Sequence, residues 1–118
     1  MTSGLARLKN RADFLRVAAG NCRAVRPGLV LQAAPNSGCD GMRVGFTASR
    51  RVGNAVVRNR AKRRLRTAAA AILPQAGRPG TDYVLIARAG TGERRYVELL
   101  GDLATALRQF ERRIGKEN

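Results

Sequence analysis

The chain has 118 residues, with 23 lysines and arginines against 8 acids, giving a formal net charge of +15 and a pI near 11.7. That length suits one domain able to bury a core without disulfides or metals, and 44% hydrophobic content argues against a wholly disordered tail. Histidine is absent and no apolar run approaches the ~18 residues of a membrane span, so histidine-dependent nucleophiles and bases, most zinc sites and transmembrane anchoring drop out. In chain order, the N-terminus lacks the apolar segment of a signal peptide, which points to the cytoplasm. Residues 1–6 and 115–118 are expected to be flexible flanks of a single domain spanning 1–118. A helix is predicted over Asn10 to Ala19, where Phe14, Val17 and Ala18 share a face, ended by Gly20 and Asn21. Cys22 to Arg26 and Leu29 to Ala33 read as strands separated by the Pro27-Gly28 turn. After the Pro35 to Gly38 loop, Arg43 to Ser49 alternates polar or small residues with Val44, Phe46 and Ala48, as a half-buried strand does. Its end delivers Ser49, Arg50 and Arg51 into a turn.

From Ala55 to Ile72, Val57, Ala61, Leu65, Ala68, Ala69 and Ile72 recur at helical spacing and cover about a third of the circumference. The remaining surface is cationic. Arg58, Lys62 and Arg66 form one row, and Arg60, Arg63 and Arg64 occupy the rest; Pro74 is expected to stop the helix. Beyond the Gly77 to Gly80 loop, Asp82 to Arg88 is a near-continuous apolar strand of the kind buried on both faces at a sheet centre. A last helix near Val97 to Ile114 carries Leu99, Leu103, Leu107, Phe110 and Ile114 on one stripe. No internal repeat and no second domain is visible.

The charge is concentrated. Between Gly41 and Thr81 there is no Asp or Glu, while Arg43, Arg50, Arg51, Arg58, Arg60, Lys62, Arg63, Arg64, Arg66 and Arg78 all fall there. Such a run repels itself in the free protein and is explained by a polyanion whose counterions are released on binding, nucleic acid being the default. Cys22 and Cys39 are too isolated for redox or zinc motifs, and no glycine-rich nucleotide loop occurs. The acids are spread too thinly to suggest a two-metal nuclease site.

The densest signal runs from Ser49 to Arg66: strand end, glycine turn at Gly53, Asn54-Ala55-Val56-Val57, then Arg58-Asn59-Arg60 opening a basic helix. This segment resembles the signature of the bacterial ribonuclease P protein subunit family. The similarity continues in Arg7-Leu8-Lys9, Asp13-Phe14 and Val17, in Arg43-Val44-Gly45, and in Asp82 to Arg88, so it covers nearly the whole chain. The resemblance implies an α/β (α+β) two-layer sandwich ordered αβββαβα, with a central mixed four-stranded sheet like the second domain of a small-subunit ribosomal protein. It implies a partner RNA subunit that is catalytic and a substrate, precursor tRNA, whose 5′ leader is removed. Mg²⁺ would be the cofactor, held mainly by RNA, with no protein side chain catalytic or metal-binding, no membrane and no protein partner required.

Carried over by position, Arg58, Asn59, Arg60, Lys62, Arg63 and Arg66 would touch the RNA subunit. Phe14, Ser49, Arg50, Arg51 and Arg88 would line a cleft between the first helix and the sheet that receives the leader. Two positions where the family often has aromatics hold Ala18 and Gln32, which shifts the expected leader contact toward basic and hydrogen-bonding groups. Each residue also has a plainer reading. Phe14 on an amphipathic helix fits a core position, Arg88 a strand end, Gly53 turn geometry, and Asn54 or Asn59 a helix cap. A structural RNA-binding protein of ribosomal type shares the charge balance, and only Gly53 to Arg66 separates the two. A membrane-surface helix is disfavoured because Val57, Leu65 and Ile72 are needed inside and no Trp anchors it.

Overall fold

The computed structural model describes residues 5–20, 22–36 and 41–117, with side chains as far as Glu111. In chain order come β1 (Leu5–Arg7), α1 (Arg11–Ala19), β2 (Arg23–Val25), β3 (Leu29–Pro35) and β4 (Met42–Thr47). A 3₁₀ turn (Arg50–Val52), α2 (Ala55–Ala76), β5 (Thr81–Ala87) and α3 (Tyr96–Glu117) complete the chain. The strands form one mixed sheet in the order β1-β4-β5-β3-β2. The continuous apolar strand is central, as its sequence requires: β5 runs parallel to β4 and antiparallel to β3.

The α+β class matches the expectation, but the order is βαβββαβα and the sheet has 5 strands rather than four. The extra strand is β1, pairing parallel with β4 through Leu5↔Met42, Ala6↔Arg43 and Arg7↔Val44. Three residues are too short to show a period. The strand forms because the outer edge of β4 otherwise leaves its N–H and C=O groups unpaired. Leu5 packs on the main core, and the Leu8 N–H continues the edge with a 2.9 Å bond to the Val44 carbonyl. Leu5 and Ala6, expected in a flexible flank, are therefore paired. Residues 1–4 and 118 lie outside the described residues, as do Asn21 and Cys39, while the backbone of 115–117 continues α3.

The pleat sorts the side chains. Tyr83, Leu85 and Ala87 of β5, with Met42, Val44, Leu29 and Leu31 beside them, face Ala61, Leu65, Ala68, Ala69 and Leu73 of α2 and Leu99, Leu103, Ala106, Leu107 and Phe110 of α3. Val84 points the other way, against Leu8 and Val17, with Phe14, Ala34 and Ile86 partly buried around it, so α1 covers part of the second face. Gly45 permits that approach, since a Cβ there would overlap the Phe14 ring.

The expectation that Pro74 stops the second helix is corrected, because α2 runs on to Ala76. Pro74 sits in the last turn, where the carbonyl it leaves without a partner, that of Ala70, is on an exposed residue. The helix ends at Gly77, whose N–H bonds the Leu73 carbonyl at 2.8 Å.

Asp82, fully buried, anchors α1 to the sheet. It accepts hydrogen bonds from Arg43 Nε (2.8 Å) and Nη2 (2.7 Å), from Asn36 Nδ2 (2.9 Å) and from Arg16. Burial alone would raise this carboxyl, but the bonds from Arg43, Asn36 and Arg16 outweigh it and hold the group below the usual carboxylate range.

Candidate nucleic-acid interface

The basic helix is launched by a short, strictly conditioned turn. Gly53 has φ 149°, a value that suits glycine, and a Cβ there would lie 2.9 Å from the Val57 side chain. Asn54 is the N-cap: its side-chain oxygen accepts the Val57 N–H at 3.0 Å. Asn54 therefore fills the capping role that its sequence position allows. Val57 is exposed rather than part of the stripe, and Leu73 takes a fully buried place further along.

The cations of α2 split into two surfaces. Arg58 and Lys62 are half-buried beside the core stripe, and the Arg58 Nε is enclosed without a hydrogen-bond partner among the described residues. Arg66 continues that row, its guanidinium 5.9 Å from the centre of the Phe46 ring, which Arg7 of β1 also approaches at 5.9 Å. Asn59, Arg60 and Arg63 point to solvent, while Arg64 is held by a 2.7 Å bond from its Nη1 to the Thr91 carbonyl. Among the described residues, none of Arg50, Arg51, Arg58, Arg60, Lys62, Arg63, Arg64 or Arg66 forms an ion pair. Arg43 and Arg78, the two other cations of the acid-free stretch, are paired with Asp82 and Glu111.

The residues assigned to a cleft lie on the other face and at one end of the sheet. Phe14 is half-buried over Gly45, and the register Gly45↔Val84 and Thr47↔Ile86 carries that face toward Ser49 and Arg88. At ~3.3 Å per residue, the four steps from Gly45 to Ser49 span roughly 13 Å. Thr47 and Ile86 are half-buried along this strip, Val25 of β2 is 52% exposed beside it, and Ser49, Arg50, Arg51 and Arg88 are exposed at its end. Arg88 is ordered by a 2.7 Å bond from Nη1 to the Arg26 carbonyl. Ala18 is exposed on α1, and Gln32 is buried in β3. Phe14 thus supplies an aromatic edge at one end of the strip and the arginines a cationic cluster at the other.

Comparison with known proteins gives this arrangement a family. The model of the ribonuclease P family matches residues 3–111. The chain is 55% identical over 113 residues to the ribonuclease P protein component of Paramagnetospirillum magneticum, covering 92% of this chain and 85% of that one. It is 49% identical over 111 residues to the ribonuclease P protein component of Ruegeria pomeroyi, covering 92% and 89%. The chain belongs to the ribonuclease P protein family. The solved ribonuclease P protein of Thermotoga maritima superposes with a TM-score of 0.74 at 25% identity, covering 87% of this chain and 96% of that one.

Within this ribonuclease P protein, several residues that organise the interface were not singled out from sequence. Thr91, fully buried, accepts the Arg88 N–H at 2.7 Å and donates its hydroxyl to the Gly28 carbonyl at 2.7 Å. Asp102 accepts the Gly28 N–H at 2.9 Å and a bidentate pair from Arg94. These bonds fasten the loop after β5 to the β2–β3 turn and to α3, and so fix Arg64 and Arg88. Their only signal in sequence was an acid on the otherwise apolar helix face at Asp102. Tyr96, the first residue of α3 and 39% exposed, was likewise not singled out.

Proposed function

We propose that this ribonuclease P protein component, which acts in tRNA processing, grips the catalytic RNA subunit with the cationic surface of α2. In this reading it lays the 5′ leader of precursor tRNA along the strip from Phe14 to Arg88. The observation that carries the proposal is the set of eight cations from Arg50 to Arg66 without an ion-pair partner among the described residues. An unneutralised field of this density is relieved when it displaces condensed counterions from a polyanion.

In this reading the protein acts by position. Arg60, Lys62, Arg63 and Arg66 neutralise backbone phosphates, while Phe14, Arg50, Arg51 and Arg88 hold single-stranded RNA with little regard to sequence. Holding the leader fixes the scissile bond relative to the RNA subunit, which converts diffusive encounter into a pre-aligned reaction. In this reading Mg²⁺ held mainly by the RNA would supply metal-assisted phosphodiester hydrolysis. Among the described residues there is no group of three or more Cys, Asp or Glu that could hold a metal ion. No helix among the described residues is long and apolar enough to cross a membrane.

Cleavage of a precursor tRNA by the cognate RNA subunit, titrated with Mg²⁺ with and without the protein, tests this. The protein lowers the Mg²⁺ requirement, and alone it cuts nothing. An unchanged titration, or sustained cleavage by RNA-free protein, overturns the proposal.

A further inference from the structure

Tyr96 shares a recess of about 310 Å³ with Arg60, Arg63, Arg64 and Thr67 of α2. The four α2 residues follow helical spacing, so they form one wall facing the start of α3. That wall is ordered, because Arg64 is tied to the Thr91 carbonyl and Thr91 is buried and bonded on both sides. Tyr96 is neither in the main core nor hydrogen-bonded through its hydroxyl among the described residues. No carboxylate lines the recess: Glu98, two residues on, turns to Arg94 at 3.7 Å. An open aromatic face framed by three guanidinium groups has the chemistry for a flat, electron-rich group flanked by anions.

A single nucleotide has that chemistry. A base inside a duplex has both faces covered by its neighbours, so an aromatic face at the rim of a basic groove selects an unpaired or bulged one. The recess lies on the α2–α3 side of the sheet, opposite Phe14, and is thus separate from the strip assigned to the leader. Resting on the reading that α2 binds the RNA subunit, we infer that Tyr96 is a stacking platform for one unpaired base of that RNA. Arg60 and Arg63 hold the adjoining phosphates, and Arg64 forms the fixed wall. Tyr96 thereby makes the basic helix discriminate an RNA with a protruding base from a plain duplex, which charge alone cannot do.

The test measures affinity for the RNA subunit over a range of salt for wild type, Tyr96→Phe, Tyr96→Ala and Tyr96→Trp. Stacking on one side chain predicts a loss on the order of 10-fold for Tyr96→Ala. Its log-log salt slope stays as in wild type, since every phosphate keeps its cation. Tyr96→Phe keeps the ring face and the affinity. The chain has no Trp of its own, so Tyr96→Trp provides a single indole whose emission is quenched as the RNA binds. Because this readout needs no truncation, it holds even if the Ala variant folds poorly. Wild-type affinity in Tyr96→Ala, loss in Tyr96→Phe equal to that in Tyr96→Ala, or unquenched Trp emission in the bound complex overturns the inference. Failure of wild type to bind the RNA subunit at all instead overturns the reading of α2 on which it rests.

Discussion

Replacing Asp82 with asparagine keeps the shape of the side chain and removes the charge that ties α1, β4 and β5 together. The native carboxylate accepts from two Arg43 nitrogens, from Asn36 and from Arg16. In the variant, one acceptor oxygen becomes an NH₂ group aimed at other donors. Hydrogen bonds to charged groups contribute about 1.5–3 kcal/mol each, and removing one partner of a buried ion pair costs about 3–5 kcal/mol. The Arg43 and Arg16 side chains keep 29% and 40% exposure, so water recovers part of their solvation. The net loss should be about 2–4 kcal/mol, or a fall in Tm of roughly 8–16 °C at this chain length. Urea and thermal unfolding followed by circular dichroism measure it. The pH dependence gives a second reading. Because the folded carboxyl is held below its ordinary value, its stabilisation is complete above the unfolded pKa of about 3.9 and is lost as pH falls through the folded pKa. The gap between wild type and Asp82→Asn should therefore narrow as the pH drops below about 4. A loss under about 1 kcal/mol at pH 7, or an equal gap at pH 7 and at the acid end, refutes this account of Asp82.

The other expectations concern RNA. Replacing Arg60 and Arg66 together with Ala should weaken binding to the RNA subunit and lower the log-log salt slope by roughly 0.7–0.9 for each phosphate no longer neutralised; wild-type affinity and slope would make both residues a solvated face. Phe14→Ala should weaken precursor tRNA binding by the holoenzyme by at most about 1–3 kcal/mol and leave mature tRNA nearly unaffected. Its half-buried ring should cost less stability than the ~3–5 kcal/mol of a fully buried Phe, and equal losses for both tRNAs with a large stability loss return Phe14 to the core. Sulfate should raise the melting temperature of the free protein more than chloride at matched ionic strength, because it occupies the α2 cations in the native state; equal shifts would leave only general screening.

The elements that sequence reveals here are those with a long period or a continuous apolar run. The stripes Ala61-Leu65-Ala68-Ala69 and Leu99-Leu103-Leu107-Phe110 repeat often enough to define a face, and Val84-Leu85-Ile86 can only be central. What escapes is structure made by tertiary partners. The strand Leu5–Arg7 exists because β4 offers an edge, and Pro74 stays helical because it sits in the final turn and the carbonyl it faces belongs to the exposed Ala70. The site divides in the same way. The α2 cations are legible because nothing acidic interrupts them, but Arg43 becomes a structural residue only when the register sets it opposite Asp82. Tyr96 gains its surroundings only when α3 packs beside α2, 32 residues or more from Arg60, Arg63 and Arg64 counted along the chain.

The same tertiary pairing decides how the molecule carries its charge. Asp13 and Asp82 engage Arg16 and Arg43, Glu98 and Asp102 engage Arg94, and Glu111 engages Arg78. These five acids thus neutralise arginines of the sheet, α1 and the loops flanking β5, and none is directed to the cations between Arg50 and Arg66. Repulsion within α2 is therefore retained in the free protein, where any bound anion relieves it and a polyanion does so most fully. Stability and binding should separate accordingly. Losing Asp82 weakens the fold while leaving the α2 field in place, whereas losing an exposed arginine such as Arg60 relieves repulsion and weakens only the grip on RNA. A helix whose cations opposed one another in isolation would be a poor way to stabilise a small domain, and it is an effective way to hold a phosphate backbone.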